Sequence, residues 1–101
     1  KGTVLTFQIS TIYVEDSKEK VDYRISMYAS YPVPVDVYAL IVMKKVDNSV
    51  LEELSRYGKI KKAFPFLNAV KVIGDAKDLI KLAKKDYVEF VSLIEVLNKE
   101  N

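Results

Sequence analysis

Apolar and polar residues alternate most regularly between residues 21 and 31, where every second side chain is apolar. A period of two over a segment of this length is typical of a strand with one buried face. Residues 3–14 alternate as well, with a change of phase that indicates a bulge. We therefore predict an N-terminal β-hairpin extension over residues 1–34, separated from the rest of the chain by Pro32 and Pro34.

The next segment, residues 35–43, is apolar on both alternating faces, which predicts a central strand covered on both sides. Ser49 is followed three residues later by Glu52, and this capping box predicts the start of a short helix. Gly58 stands where a left-handed residue ends such a helix, so we predict that it is the C-terminal cap.

The rest of the chain continues the alternation of strands and helices. We predict a strand over residues 60–66 that bends at Pro65, a tight turn at Asn68, and a strand over residues 70–73. A helix over residues 76–85 follows, with Asp75 as its N-cap, and the last strand begins at residue 87. In the order β-α-β-β-α-β, right-handed crossovers place both helices on one face of a four-stranded antiparallel sheet. Residues 35–101 are thus expected to form an α+β, ferredoxin-like open-faced sandwich.

One face of such a sheet has no helices. Tyr38, Leu40 and Val42 share this face by strand parity, and their apolar character indicates that something covers it. The N-terminal hairpin, a second copy of the chain and another protein are the three candidates.

The composition excludes most catalytic chemistry. The chain has no Cys and no His, so neither a Ser–His–Asp nor a Cys–His arrangement can form, and the commonest metal ligand is missing. Its three glycines are isolated, so no phosphate-binding loop exists. The acidic pairs Glu52–Glu53 and Asp75/Asp78 lie at predicted helix N-termini, where carboxylates complement the helix dipole. We therefore expect no enzymatic activity, no metal and no cofactor.

Neither nucleic acid nor a membrane is an expected partner. The net charge is only +2, and the third strand lacks the aromatic residues on which RNA-recognition modules of this topology stack bases. The longest uncharged stretches, residues 2–14 and residues 25–35 between Arg24 and Asp36, are both shorter than the roughly 20 residues that a membrane-spanning helix needs, and the second contains two prolines. Abundant Lys, Glu, Val and Ile are compatible with a thermophilic source.

Residues 35–97 resemble the N-terminal propeptides, or peptidase-inhibitor domains, of subtilisin-like serine proteases. The resemblance rests on the hydrophobic strand Tyr38-Ala-Leu-Ile-Val-Met-Lys44, the run Gly58-Lys-Ile-Lys-Lys-Ala-Phe64, the strand Asn68-Ala-Val-Lys-Val72, the helix residues 79–83, and Tyr87-Val-Glu-Phe-Val91. Family members usually carry an acid just after the last of these motifs, whereas this chain has Ser92.

The resemblance implies an intramolecular chaperone and inhibitor that belongs to a secreted or cell-surface protease precursor. Its sheet face, with Tyr38, Leu40 and Val42, would bind the protease domain in cis or in trans. Its tail would enter the active-site cleft like a product, and truncation after Val91 would then remove inhibition without disturbing the fold. The tail consists of Glu95, Val96, Leu97, Asn98, Lys99, Glu100 and Asn101.

A second interpretation is a ferredoxin-like regulatory or protein-interaction domain. Such a domain would associate with itself through the helix-free sheet face and could bind a small ligand. Sedimentation separates the two interpretations, because only the second requires a dimer.

Overall fold

The structure, a computed structural model, describes residues 20–97. Its elements are helix α1 (Tyr23–Ala29), strand β1 (Asp36–Met43), helix α2 (Asn48–Leu54), strand β2 (Lys59–Phe64), a 3₁₀ turn (Pro65–Leu67), strand β3 (Ala69–Asp75), helix α3 (Ala76–Ala83) and strand β4 (Val88–Val96). The first predicted strand of the hairpin, residues 3–14, lies outside the described residues, as do residues 98–101.

The four strands form one sheet in the order β2-β3-β1-β4, and all three pairings are antiparallel. The expected α+β class is therefore confirmed, and β1 is central as predicted. In the middle of the sheet, Leu40 of β1 lies opposite Lys71 of β3 on one side and Ser92 of β4 on the other.

The core lies on a single face of the sheet. Alternate residues of β1 are completely or almost completely buried, and all three helices contribute side chains to the same cluster. The largest fully buried side chains of this core are Ile25, Ile41, Met43, Leu54, Leu79 and Leu82. Because the described helices share this face, the face with Tyr38, Leu40 and Val42 carries none of them.

The predicted strand over residues 21–31 is wrong, since the segment forms α1. Asp22 caps the helix, and Ile25 is its buried residue. Apolar residues at positions 21, 25, 28 and 29 also fit a helical period, and these are the ones that reach the core. Tyr23 and Met27, which the alternation placed on a buried face, are 67% and 42% exposed. The domain boundary after residue 34 stays a prediction, although Ile25 belongs to the same core as β1.

Two details predicted for the first crossover helix are also wrong. The N-cap of α2 is Asp47 rather than Ser49, because Asp47 Oδ1 accepts the Val50 N–H at 2.9 Å. Gly58 is not a left-handed cap, since no glycine among residues 20–97 has a positive φ. A Cβ at Gly58 would lie 2.7 Å from the backbone oxygen of Ile73, so glycine permits the close approach of the chain to β3.

The later turns and caps agree better with the sequence pattern. Asn68 adopts a left-handed conformation, with φ 52° and ψ 46°, at the tight turn between β2 and β3. Asp75 caps α3 by accepting the Lys77 N–H, as predicted. Strand β2 ends at Phe64, however, so Phe66 lies in the 3₁₀ turn and is 98% exposed.

Candidate functional site

The face of the sheet that carries none of the described helices is the candidate functional site, and we call it the open face. The strand registers place twelve side chains on it, in three rows that each cross all four strands. From β2 to β4 the rows are Phe64, Ala69, Val42 and Phe90; Lys62, Lys71, Leu40 and Ser92; and Lys59, Ile73, Tyr38 and Glu95.

The three residues predicted for the docking face lie together along β1. Tyr38, Leu40 and Val42 are all only half-buried, whereas their neighbours along the strand are completely or almost completely buried. Phe90 of β4 lies beside Val42 and is 41% exposed. These side chains form an apolar band along the middle of the open face, and burying it against a partner is favourable.

Lysines lie on one side of this band. Lys71 is on β3, while Lys59 and Lys62 are on the neighbouring edge strand β2. The Lys71 Nζ lies 6.0 Å from the Tyr38 ring centre and 5.6 Å from that of Phe64, and the Lys62 Nζ lies 5.3 Å from the Phe64 ring. Cation–π attraction therefore holds the ammonium groups of Lys62 and Lys71 against the aromatic side chains of the face.

The outer edge of β4 is protected by the chain before α1. The Val91 N–H donates to the Lys20 carbonyl at 2.9 Å, and the Asp22 N–H donates to the Val91 carbonyl at 2.8 Å. The Asp22 carboxylate also accepts the Leu93 N–H at 3.2 Å. The segment thus occupies part of the edge at which another strand would otherwise pair.

The opposite edge, β2, is protected in a different way. Its register shifts between Ile60 and Lys62, which indicates an irregularity at Lys61, and three of its six residues are lysines. Bulges and lysines both discourage the addition of a further strand. Among the described residues, the open face is therefore better suited to contact a partner than either strand edge.

The predicted tail begins inside the sheet. Glu95 and Val96 belong to β4 and lie opposite Tyr38 and Val37 of β1. The Leu97 N–H then donates to the Asp36 carbonyl at 2.9 Å. Of the predicted tail, only residues 98–101 lie outside the described residues. Truncation after Val91 would remove half of β4, so the structure argues against the expectation that this truncation preserves the fold.

The 3₁₀ turn lies at the other end of the open face. The Met43 N–H at the end of β1 donates to the Asn68 carbonyl at 2.8 Å. Phe66 and Leu67 in this turn are 98% and 69% exposed. The turn and the tail thus lie at opposite ends of β1, so a partner on the open face could contact both.

A second group of titratable residues joins α2 to the segment before β4. Lys85 Nζ lies 2.8 Å from Glu53 Oε2 and 5.4 Å from the Tyr57 ring centre. The hydrogen bond to Glu53 raises the pKa of Lys85, and the same bond lowers the pKa of Glu53. Burial raises the pKa of Tyr87 to about 12, with Glu53 adding to the effect. The ion pair between Lys85 and Glu53 therefore links α2 to the segment before β4.

The sequence analysis did not place the lysines, Phe64 or Phe90 on the open face. Lys71 was detectable in principle, because it alternates with the buried Val70 and Val72 and must point to the other side of β3. The positions of Phe64 and Phe90 depend on the strand register, which the sequence pattern does not give.

Searches of the described residues for other kinds of site were negative. Residues 20–97 contain no group of three or more potential metal-binding side chains, and none of their helices is long and apolar enough to cross a membrane. Comparison of the chain with protein-family models, curated proteins and solved structures found no match. The open face and the tail are therefore the features from which a function can be argued.

Proposed function

We propose that this chain is the propeptide of a subtilisin-like serine protease and acts as an intramolecular chaperone and inhibitor. In this proposal the open face binds the protease domain and residues 98–101 lead into its active-site cleft. The chain would belong to a secreted or cell-surface precursor. The half-buried apolar band of Tyr38, Leu40 and Val42 carries the proposal, because it is the surface that the resemblance assigns to the protease.

The proposal includes a ferredoxin-like fold. It is supported by the alternation β-α-β-β-α-β over residues 36–96 and by the strand order β2-β3-β1-β4. The helices α2 and α3 bury Leu54 and Leu79 against the same face of the sheet. In the proposed open-faced sandwich, the partner binds the face that carries none of the described helices.

The size of the open face bears on how a partner would bind. Strand β1 is 8 residues long. With strands about 4.8 Å apart and a rise of about 3.3 Å per residue, four strands of this length present a projected area of about 500 Å². Stable complexes bury about 800 Å² on each partner, so contacts beyond the sheet are needed. In this proposal, residues 98–101 and the turn with Phe66 and Leu67 would supply them.

The test is inhibition of subtilisin, followed with a chromogenic peptide substrate over several hours. The full chain should inhibit at once, and inhibition should fade as the chain is digested. Leu40→Glu puts a charge in the middle of the apolar band and should weaken inhibition about tenfold or more, since a buried leucine contributes about 1.5–3 kcal/mol.

A matched control is Met27→Glu, which introduces the same charge at an exposed position of α1, away from the open face. It should inhibit like the unmodified chain. Circular dichroism and thermal unfolding show whether both variants fold. If Leu40→Glu does not fold, the milder Leu40→Thr replaces it. Two results would overturn the proposal. The Leu40 and Met27 variants could inhibit equally well, or the full chain could fail to inhibit every subtilisin-like protease in a panel.

A further inference from the structure

The charges on the open face are unevenly distributed. Lys59, Lys62 and Lys71 all lie on the β2–β3 side of the apolar band, and Glu95 on β4 lies across the sheet from them. Within residues 20–97, the salt bridges join Arg24 to Asp22, Lys45 to Asp47, Lys81 to Asp78 and Lys85 to Glu53. None of them neutralises a lysine of the open face.

From this arrangement we infer that the natural partner of the open face is a protein surface with an apolar ridge and a row of carboxylates beside it. The ridge would lie on Leu40 and Val42, and the carboxylates would lie over Lys62 and Lys71. The inference rests on the proposed function in using the same docking face, and it adds the charge and the orientation of the partner. Complementary charge fixes orientation and speeds association more than it adds affinity.

A nucleic-acid strand fits this face less well. Single strands bind through exposed aromatic rings on which the bases stack. On the open face, the Lys71 ammonium lies over the rings of both Tyr38 and Phe64, and the Lys62 ammonium lies over Phe64 as well. Two of the three aromatic residues therefore already have cationic partners.

A second copy of the chain fits less well too. Each copy would bring three lysines and two carboxylates, those of Glu95 and Asp36, to the contact. Face-to-face pairing would bury more positive than negative charge from both copies, and uncompensated charge is costly at an interface. An acidic partner removes this excess.

The experiment uses two amphipathic helical peptides, each about 20 residues long so that the helix is stable. Both have the same leucine stripe, flanked by glutamates in one peptide and by lysines in the other. Binding to the full chain is measured by NMR titration. The glutamate peptide should shift the amide signals of β1, β2 and β3 and bind at least about tenfold tighter than the lysine peptide, and this preference should shrink as salt rises from about 0.05 M to about 0.5 M.

Variants then locate the charges responsible. The double variant Lys62→Glu/Lys71→Glu should reverse the preference between the two peptides. If this variant folds poorly, the milder Lys62→Gln/Lys71→Gln is used, and it should abolish the preference. The control Lys81→Glu/Lys84→Glu makes the same change in net charge at two exposed residues away from the open face, Lys81 in the last turn of α3 and Lys84 directly after the helix. It should retain the preference of the unmodified chain.

The outcomes separate this inference from the proposed function. Equal binding of the two peptides, binding of neither, or a preference that the α3 control abolishes would overturn the inference even if subtilisin is inhibited. The inference would also be overturned, in favour of nucleic acid, if a single-stranded oligonucleotide bound more tightly than the glutamate peptide and the Lys62/Lys71 variants abolished this binding. A clear glutamate preference without inhibition of any protease would sustain the acidic partner and refute only the protease.

Discussion

Asp22 joins α1 to the edge of β4, and replacing it tests how this edge is protected. Its Oδ1 accepts the Arg24 backbone N–H at 3.0 Å, and its Oδ2 accepts a hydrogen bond from Arg24 Nη2 at 2.7 Å. The Leu93 N–H donates to the same carboxylate at 3.2 Å. Asp22→Ala removes the helix cap, the ion pair and the partner of a strand amide together.

The expected loss of stability follows from these contacts. The pKa of Asp22 is lowered from 3.8 to about 2, chiefly by the hydrogen bond from the Arg24 side chain, and the Asp22 side chain is only 12% exposed. This shift corresponds to about 2 kcal/mol, and solvent screening of the half-exposed Arg24 reduces it to about 1–2 kcal/mol. The N-cap adds at most about 1 kcal/mol, because the hydrogen bond from the Arg24 backbone N–H is already one cause of the pKa shift. We therefore expect Asp22→Ala to lower the free energy of unfolding by about 1–3 kcal/mol, or the melting temperature by about 4–24 °C.

The assay is urea unfolding of the full chain at several pH values. A carboxyl group whose pKa is lower in the folded state stabilises the fold above its unfolded pKa and loses this effect as pH falls through the folded value. The contribution of Asp22 should thus be complete above about pH 5 and vanish between about pH 4 and pH 2. Asp47 and Glu53 also have lowered pKa values, so the informative quantity is the difference between the unmodified chain and Asp22→Asn.

Arg24→Ala is the matched control, because it removes the ion pair and keeps the Asp22 cap and the Leu93 hydrogen bond. It should cost less stability than Asp22→Ala. Equal losses for the two variants would mean that the cap and the strand contact contribute nothing. A stability difference between the unmodified chain and Asp22→Asn that does not change between pH 5 and pH 2 would refute the electrostatic part of the reasoning.

Three further predictions concern the turns and the tail. Gly58→Ala should lower the free energy of unfolding, measured with urea, by about 1–3 kcal/mol, because a side chain at this position meets the Ile73 carbonyl. Gly58→Asn should lower it further. If asparagine is tolerated, residue 58 is instead a left-handed cap. Truncation after Leu97 should leave the melting temperature unchanged and abolish subtilisin inhibition. Truncation after Val91 should unfold the chain. If the chain truncated after Leu97 still inhibits fully, the tail has no role in inhibition. Phe66→Ser should change stability by less than about 0.5 kcal/mol and weaken protease binding, and unchanged binding would remove the turn from the interface.

The sequence predicted those elements whose local pattern and packing agree. The run of apolar residues in β1 is typical of a central strand, and Asp75 precedes a segment with a clear helical stripe. Asn68 tolerates the left-handed conformation that its turn requires.

Other local features depend on contacts that the sequence pattern does not show. Residues 21–31 fit both a strand and a helix, and the choice is made by packing: Ile25 enters the core while Tyr23 remains exposed. Gly58 follows a helix, as a cap would, but the reason for glycine is the proximity of β3, which is distant in sequence.

The candidate site could be predicted only in part. Strand parity placed Tyr38, Leu40 and Val42 on one face, which the structure confirms, while their function stays a prediction. The position of Lys62 beside Lys71 could not be predicted, because it depends on the register between β2 and β3.

The most direct test of the account is methyl NMR of the chain bound to a catalytically inactive subtilisin. Leu40 and Val42 point to the open face, whereas Val37 and Ile41 of the same strand are buried beneath the helices. We predict that binding shifts the methyl signals of Leu40 and Val42 strongly and leaves those of Val37 and Ile41 nearly unchanged. No complex, or a complex in which the signals of Leu40 and Val42 do not move, would contradict the assignment of the open face as the protease-binding surface.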